Sequence, residues 1–407
     1  MISWPMPFIP KIGEGAYPRG INMWSSEFER LIPTGSLERA DLYVCGITPY
    51  DATHMGHAAT YVAFDLLQRV WLDAGYPVRY VQNVTDIDDP LLVRAAERGV
   101  SWESIAESET QLFREDMTAL RVIPPMAYIG AVESIPFVVE AVVKLLASGE
   151  AYWVDQDVYF NVASDPEFGH RSHLSEATQL KIFGERGGDP DRVGKRAPLD
   201  CLLWRGKREG EPFWESSLGA GRPGWHIECS AIALHYLGQS IDVQGGGSDL
   251  LFPHHDMGAS EAFALTGKRF SQNFMHAGMI GLDGEKMSKS KGNLVFVSAL
   301  RQSGVDPNAI RLALIESHYR SNRDWSAALL ARAENRLQEW KGALAHSRGT
   351  PAHETIAAIR TALSDDLDTP RALEAMDRWA SEQNGEGDVG GPGLMSRALD
   401  TLLGIAI

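Results

Sequence analysis

Leu42-Tyr43-Val44-Cys45-Gly46-Ile47-Thr48-Pro49-Tyr50-Asp51-Ala52-Thr53-His54-Met55-Gly56-His57 decides how the rest of the chain is read. Its opening Leu-Tyr-Val is an unbroken apolar run, as in a strand buried on both faces. From His57 to about Ala74, Tyr61, Phe64, Leu67, Val70 and Trp71 recur at helical spacing. Val78-Arg79-Tyr80-Val81-Gln82-Asn83 then reads as a second strand. Strand, helix and strand in this order predict a right-handed parallel crossover. Such units bind ligands at the carboxyl ends of their strands. Those ends are Cys45-Gly46-Ile47-Thr48 and Asn83-Val84-Thr85-Asp86, so the chemistry is expected there.

Outward from this unit, residues 1–40 are rich in Pro and Gly and predict an irregular N-terminal arm with a short hairpin. Helices are expected at 100–122 and 131–148. The pattern becomes mixed from 124 to 223, with a hairpin-like stretch from Tyr152 to Phe160 and a Gly-, Asp- and Arg-rich loop from Gly184 to Lys195. The α/β rhythm resumes with a helix near Ile227–Tyr236, the strand Ile241-Asp242-Val243-Gln244 and a helix from His254 to Thr266. The expected division is an arm at 1–40, a first Rossmann half at 41–123, an inserted connective region at 124–223, a second half at 224–295 and a helical region at 296–407. Five glycines between Gly385 and Gly393 predict a flexible loop.

With 407 residues, 44% of them hydrophobic and 23% charged, the chain is neither a disordered tail nor a fibre. A net charge of −16 excludes a strongly basic nucleic-acid coat protein but leaves room for a local basic groove. Cys45, Cys201 and Cys229 are too few and scattered for a disulfide framework and suit a reducing cytoplasm. The N-terminal residues lack a basic region followed by an apolar run, and no apolar stretch approaches the ~20 residues of a membrane span. A soluble cytoplasmic protein without membrane contact is expected.

Four groups of residues carry chemistry. His54-Met55-Gly56-His57 opens a helix, where two imidazoles and free amides can face a phosphate and Gly56 admits it close to the backbone. Alone, two nearby histidines are more often a surface pair. Lys286-Met287-Ser288-Lys289-Ser290, flanked by glycines, can close on a polyphosphate, or be an exposed basic turn. The two in this order, about 230 residues apart, favour the functional reading. Gly245-Gly246-Gly247-Ser248-Asp249 follows a strand, where bare backbone can press against a base or ribose and Asp249 can accept from ribose hydroxyls. Cys45, Cys229 and His254 have no short metal-ligand spacing, and spacing alone would make them core residues. The expected fold brings them to one sheet edge, where two thiolates and an imidazole can hold zinc with a fourth position open. Asp86, Asp88 and Asp89 read as a turn with helix-capping carboxylates rather than a metal site. Cys201 reads as core.

At these residues the sequence resembles the cysteinyl-tRNA synthetase group, class I synthetases with HIGH and KMSKS signatures. The matching text is Tyr43-Val44-Cys45-Gly46, His54 to His57, Gly224-Trp225-His226-Ile227-Glu228-Cys229-Ser230, Gly245 to Asp249, Phe252-Pro253-His254-His255 and Lys286 to Ser290, within roughly residues 40 to 380. The resemblance implies an α/β fold: a Rossmann-type class I catalytic domain with an inserted connective region, followed by a short C-terminal helical domain. It implies ATP with Mg²⁺, and one zinc on Cys45, Cys229 and His254 that takes the thiolate of substrate cysteine. Zinc prefers sulfur to a hydroxyl. An apolar pocket separates such near-isosteres by only ~10²-fold, so a metal can replace an editing step. His54, His57, Lys286 and Lys289 would stabilise the phosphates. Gly46, Ile47, Thr48, Thr60, Asn83, Val84, Thr85, Gly247, Ser248 and Asp249 would line the adenylate site, and Trp225 would wall the pocket.

Two departures from the tRNA enzymes matter. They carry a fourth zinc ligand, a Glu four positions after the matching His, where this chain has Gly258, and Asp256 is poorly placed to replace it. After Asp365-Asp366-Leu367-Asp368-Thr369-Pro370 only 37 residues remain, so no anticodon reader is expected. Residues 321–407 hold nine Lys or Arg and thirteen Asp or Glu, a poor surface for RNA. Both departures match the cysteine:glucosaminyl-inositol ligases of mycothiol biosynthesis in actinobacteria. So do Ser3-Trp4, Pro7 and Pro10, the loop Glu185-Arg186-Gly187-Gly188-Asp189-Pro190, and Ile47 to Thr53 with Ala58-Ala59-Thr60. The implied reaction makes cysteinyl-AMP and passes the cysteinyl group to the 2-amino group of glucosaminyl-inositol. L-cysteine, ATP and glucosaminyl-inositol are the expected partners, tRNA is not, and a monomer is expected. The alternatives are a short cysteinyl-tRNA synthetase and a non-catalytic paralogue.

Overall fold

The computed structural model describes residues 1–13, 15–17, 19–51, 53–282, 285–286 and 294–407. Its centre is a five-stranded parallel sheet made of β1 (Ala40–Val44), β2 (Val78–Val84), β3 (Ala127–Gly130), β4 (Ile241–Gly247) and β5 (Ser271–Ala277). The spatial order is β5-β4-β1-β2-β3. The chain winds one way from β1 and the other way from β4, so their carboxyl ends form a topological switch point. The register Val44 opposite Gly245 sets Cys45 beside the triple glycine, and Cys45 N donates to Gly245 O at 3.1 Å.

Helix α1 (Met55–Asp73) runs behind the sheet, with Tyr61, Phe64, Leu67, Val70 and Trp71 all buried. Asp65 and Arg69 are buried on the same helix. Asp65 pairs with Arg69 at 2.7 Å and with Arg311, and accepts from Ile123 N at 2.7 Å. Arg69 donates to Asp400 O and Arg121 O, and Arg311 to Leu403 O and Leu120 O. This cluster ties α1 to helices Pro307–Ile315 and Gly391–Leu403. Helices Ala327–Leu344, His353–Ser364 and Thr369–Ser381 complete the C-terminal bundle.

Strand β3 corrects one expectation. Residues 124–130 do not open the insertion, because Ala127–Gly130 pairs parallel with β2 inside the central sheet. Four residues passing straight into a helix give too little alternation to read as a strand. That helix is α2 (Ala131–Ser148). The insertion's own sheet is antiparallel, with strands Ala151–Val154, Asp157–Phe160, Cys201–Gly206 and Gly221–Pro223 over a core that includes Phe160, Leu203 and Trp204. The chain returns to the Rossmann core through α3 (Trp225–Leu237) and α4 (Asp256–Thr266). The glycine-rich stretch is not wholly a loop: Asp388–Val389 pairs with Arg348–Gly349, and a helix starts at Gly391. Among the described residues no helix is long and apolar enough to cross a membrane.

Candidate active site

The carboxyl ends of β1, β2 and β4 meet the N-termini of α1 and α3 around a cavity of about 300 Å³. Of the expected site residues with described side chains, Cys45, Gly46, Ile47, Thr48, His54, His57, Thr60, Asn83, Thr85, Trp225, Cys229, Gly247, Asp249 and His254 all line it. Val84 and Ser248 do not, which corrects their assignment. Alternation along β2 turns Asn83 toward the site and sends Val84 into the core, where it is fully buried. Ser248 sits exposed on the turn Ser248–Leu250. Lys289 lies outside the described residues, as does the side chain of Lys286.

The first wall is the metal set. The donor atoms of Cys45, Cys229 and His254 lie within 4.8 Å of one another, and all three residues are buried. Cys45 caps β1, Cys229 sits one turn into α3, and His254 lies in the wide turn Leu251–His255 before α4. His254 Nε2 approaches Cys229 Sγ at 3.2 Å, while its Nδ1 meets His226 Nδ1 at 3.1 Å and its ring stacks on Trp225. The His226 contact thus aims Nε2 at the thiols. Burial and the Cys229 sulfur hold the Cys45 thiol well above its usual range. The Cys45 contact, and His254 beside it, hold Cys229 well below.

The second wall is the mouth of α1. His54 caps the helix, accepting from Gly56 N at 3.1 Å, and its ring stacks on His57 with centroids 3.8 Å apart. Across the cavity, Asn83 Oδ1 accepts from Gly46 N at 2.8 Å and Tyr43 OH at 3.1 Å, and Asn83 Nδ2 donates to Thr85 Oγ1. Gly46 has no alternative: a Cβ there would stand 1.7 Å from Asn83 O. Both flanks of the lysine loop reach this wall. Ile280 lines the cavity at the head of a strand that pairs with Glu285–Lys286, and Phe296 bridges to His54.

Three features escape a reading of the sequence. His255 turns to the other thiol, with Nε2 3.2 Å from Cys45 Sγ, and its Nδ1 meets His276 Nε2 at 2.8 Å. His276 in turn contacts Ser26 of the N-terminal hairpin. Gln244 also donates to Cys45. Only the adjacency of His255 to His254 could have hinted at this. Asp256 faces away, paired with Arg171 at 2.9 Å, and Gly258 O receives the Ser230 hydroxyl. Asp88 caps the helix Asp89–Arg98, and Asp89 pairs with Arg205 and Arg222.

Comparisons agree with this geometry. Residues 32–335 match the model of the tRNA synthetases class I (C) catalytic domain. The fold is similar to Mycobacterium tuberculosis methionyl-tRNA synthetase with methionyl-adenylate, at a TM-score of 0.65 and 15% identity over 89% of this chain and 92% of that one. The L-cysteine:1D-myo-inositol 2-amino-2-deoxy-alpha-D-glucopyranoside ligases of Streptomyces scabiei and Catenulispora acidiphila are 58% and 56% identical over 100% of both chains. That of Gordonia bronchialis is 55% identical over the same share. The chain belongs to this ligase family within the class I synthetase fold.

Proposed function

We propose that the chain joins L-cysteine to the amine of 1D-myo-inositol 2-amino-2-deoxy-alpha-D-glucopyranoside in two steps driven by ATP, through cysteinyl-AMP. The carrying observation is that the thiol–imidazole trio and the α1 mouth line one cavity of about 300 Å³, with room to hold a sulfur at one side and phosphates at the other. The donor set fits zinc: two sulfurs and one imidazole nitrogen, buried together, with His226 fixing the imidazole. A zinc ion there would supply a sulfur-selective Lewis acid for the substrate thiol.

The residues' own work follows from their places. Trp225, stacked on His254, closes the thiol side against larger groups. His54 and His57 stand at the positive end of α1, where the α-phosphate of ATP would lie as the cysteine carboxylate attacks it in line. Gly247 and Asp249 border the same cavity on the β4 side, suited to ribose. Lys286 and Lys289 follow a strand rooted at the cavity and would close over the pyrophosphate with Mg²⁺. AMP and pyrophosphate are the expected products.

ATP–pyrophosphate exchange dependent on cysteine tests the first step, and acceptor choice tests the second. Ligation of cysteine to the amino sugar without charging of tRNA is expected. Charging of tRNA with the amino sugar left untouched refutes the assignment.

A further inference from the structure

A second, larger cavity of about 990 Å³ opens beside the first and shares with it Thr48, Tyr50, Trp225, Asp249 and Leu250. Its inner end is built from buried polar groups that the proposed activation of cysteine leaves unused. Glu228 on α3 is 2% exposed, and its Oε2 has no hydrogen-bond partner among the described residues. Arg222 is 6% exposed, and its Nε is likewise unmatched. Asp88 lines the same end and feels both Arg222 and His254. A buried carboxylate oxygen and a guanidinium N–H left unmatched are costly unless a ligand answers them. The two stretches that set this chain apart from the tRNA enzymes, Ile47 to Thr53 and Glu185 to Pro190, both border this cavity.

We propose that the larger cavity is the acceptor pocket, where Asp88 and Glu228 hold the amino group of a polyhydroxylated amino sugar and Asp88 receives its proton. This rests on the ligase reading above. Two carboxylates suit an ammonium, whereas they repel the phosphates of an RNA end. Arg222 Nε is free to donate to a sugar hydroxyl. The shared wall then brings the nitrogen to the acyl group. The ammonium gives one proton to Asp88, and its lone pair forms the C–N bond to the acyl carbon. The C–O bond to phosphate breaks, AMP leaves with that electron pair, and the second nitrogen proton passes to solvent. Burial pushes the Asp88 carboxyl up to about 6, which leaves it ionised yet basic at neutral pH.

The test uses the full chain, L-cysteine, ATP and the amino sugar. Asp88→Asn removes the charge and keeps the helix cap, since Asn caps as well as Asp. Glu228→Gln is isosteric and carries the test if the first variant does not fold. In each, kcat/KM for the amino sugar should fall about tenfold or more beyond any fall in cysteine-dependent exchange. As a competing ligand, the analogue with a hydroxyl in place of the amine should bind wild type about tenfold more weakly than the amino sugar, and Asp88→Asn should narrow that gap. Equal losses in ligation and exchange, or an unaltered gap, overturn the pocket. Wild-type enzyme that exchanges but does not ligate the amino sugar overturns the ligase reading as well, whereas normal ligation by the variants overturns the pocket alone.

Discussion

Two buried polar clusters lie on either side of the helix Met55–Asp73, and they are built on opposite plans. On the outer side, Asp65, Arg69 and Arg311 answer one another and the carbonyls of four other residues. Burial alone would raise the Asp65 carboxyl, yet Arg311 and Arg69 hold it below its usual range. On the inner side, Cys45, Cys229 and His254 point their donor atoms at one another with few other partners. A satisfied buried cluster fastens elements together; an under-satisfied one is poised to take something in.

Four experiments can break or sharpen that contrast. The largest effect is expected from Cys229→Ser. Metal content and cysteine-dependent exchange should fall to background, while circular dichroism shows an intact fold. Full zinc and normal exchange in that variant would remove the metal assignment. Asp65→Ala should do the reverse, costing about 3–5 kcal/mol in denaturant unfolding because two buried guanidinium groups lose their anion. If its folded fraction also loses exchange, the outer cluster is not purely structural.

His226→Ala tests the support behind the ligands, and zinc affinity by competition with a chelator should drop about 10- to 100-fold. The smallest effect concerns Glu261, buried beneath the site with Ser230 and Cys201 as partners. Burial pushes its carboxyl up to about 8, above its unfolded value of about 4.3. A raised folded value means the stability it contributes is full below about pH 4 and is lost as pH rises toward 8. Glu261→Gln should flatten the fall of stability between pH 5 and 8, by at most about 1.4 kcal/mol per unit. An unchanged slope would place the ionisation elsewhere.

Much of the fold was legible because local patterns carry it. The crossover of β1, α1 and β2 follows from apolar runs and a helical repeat, and the glycines after β4 announce a strand end. Strand β3 was not legible, since four residues leave no period to count. Val84 was misassigned because a motif names a stretch, while the pleat selects alternate residues from it. His255 and His276 were missed because their partners, Cys45 and Ser26, are about 210 and 250 residues away in the chain.

By itself the sequence determined the class of chemistry. Two thiols, an imidazole, a helix-opening histidine pair and a lysine loop belong to few reactions, and residue type does not depend on geometry. Only the tertiary structure decided which groups meet. It turned His254 rather than His255 to Cys229, sent Asp256 to Arg171, and set Glu228 without a partner beside a second cavity. The physical reason is that a donor or carboxylate acquires its role from what surrounds it within a few ångströms. In a parallel sheet those neighbours arrive from distant parts of the chain.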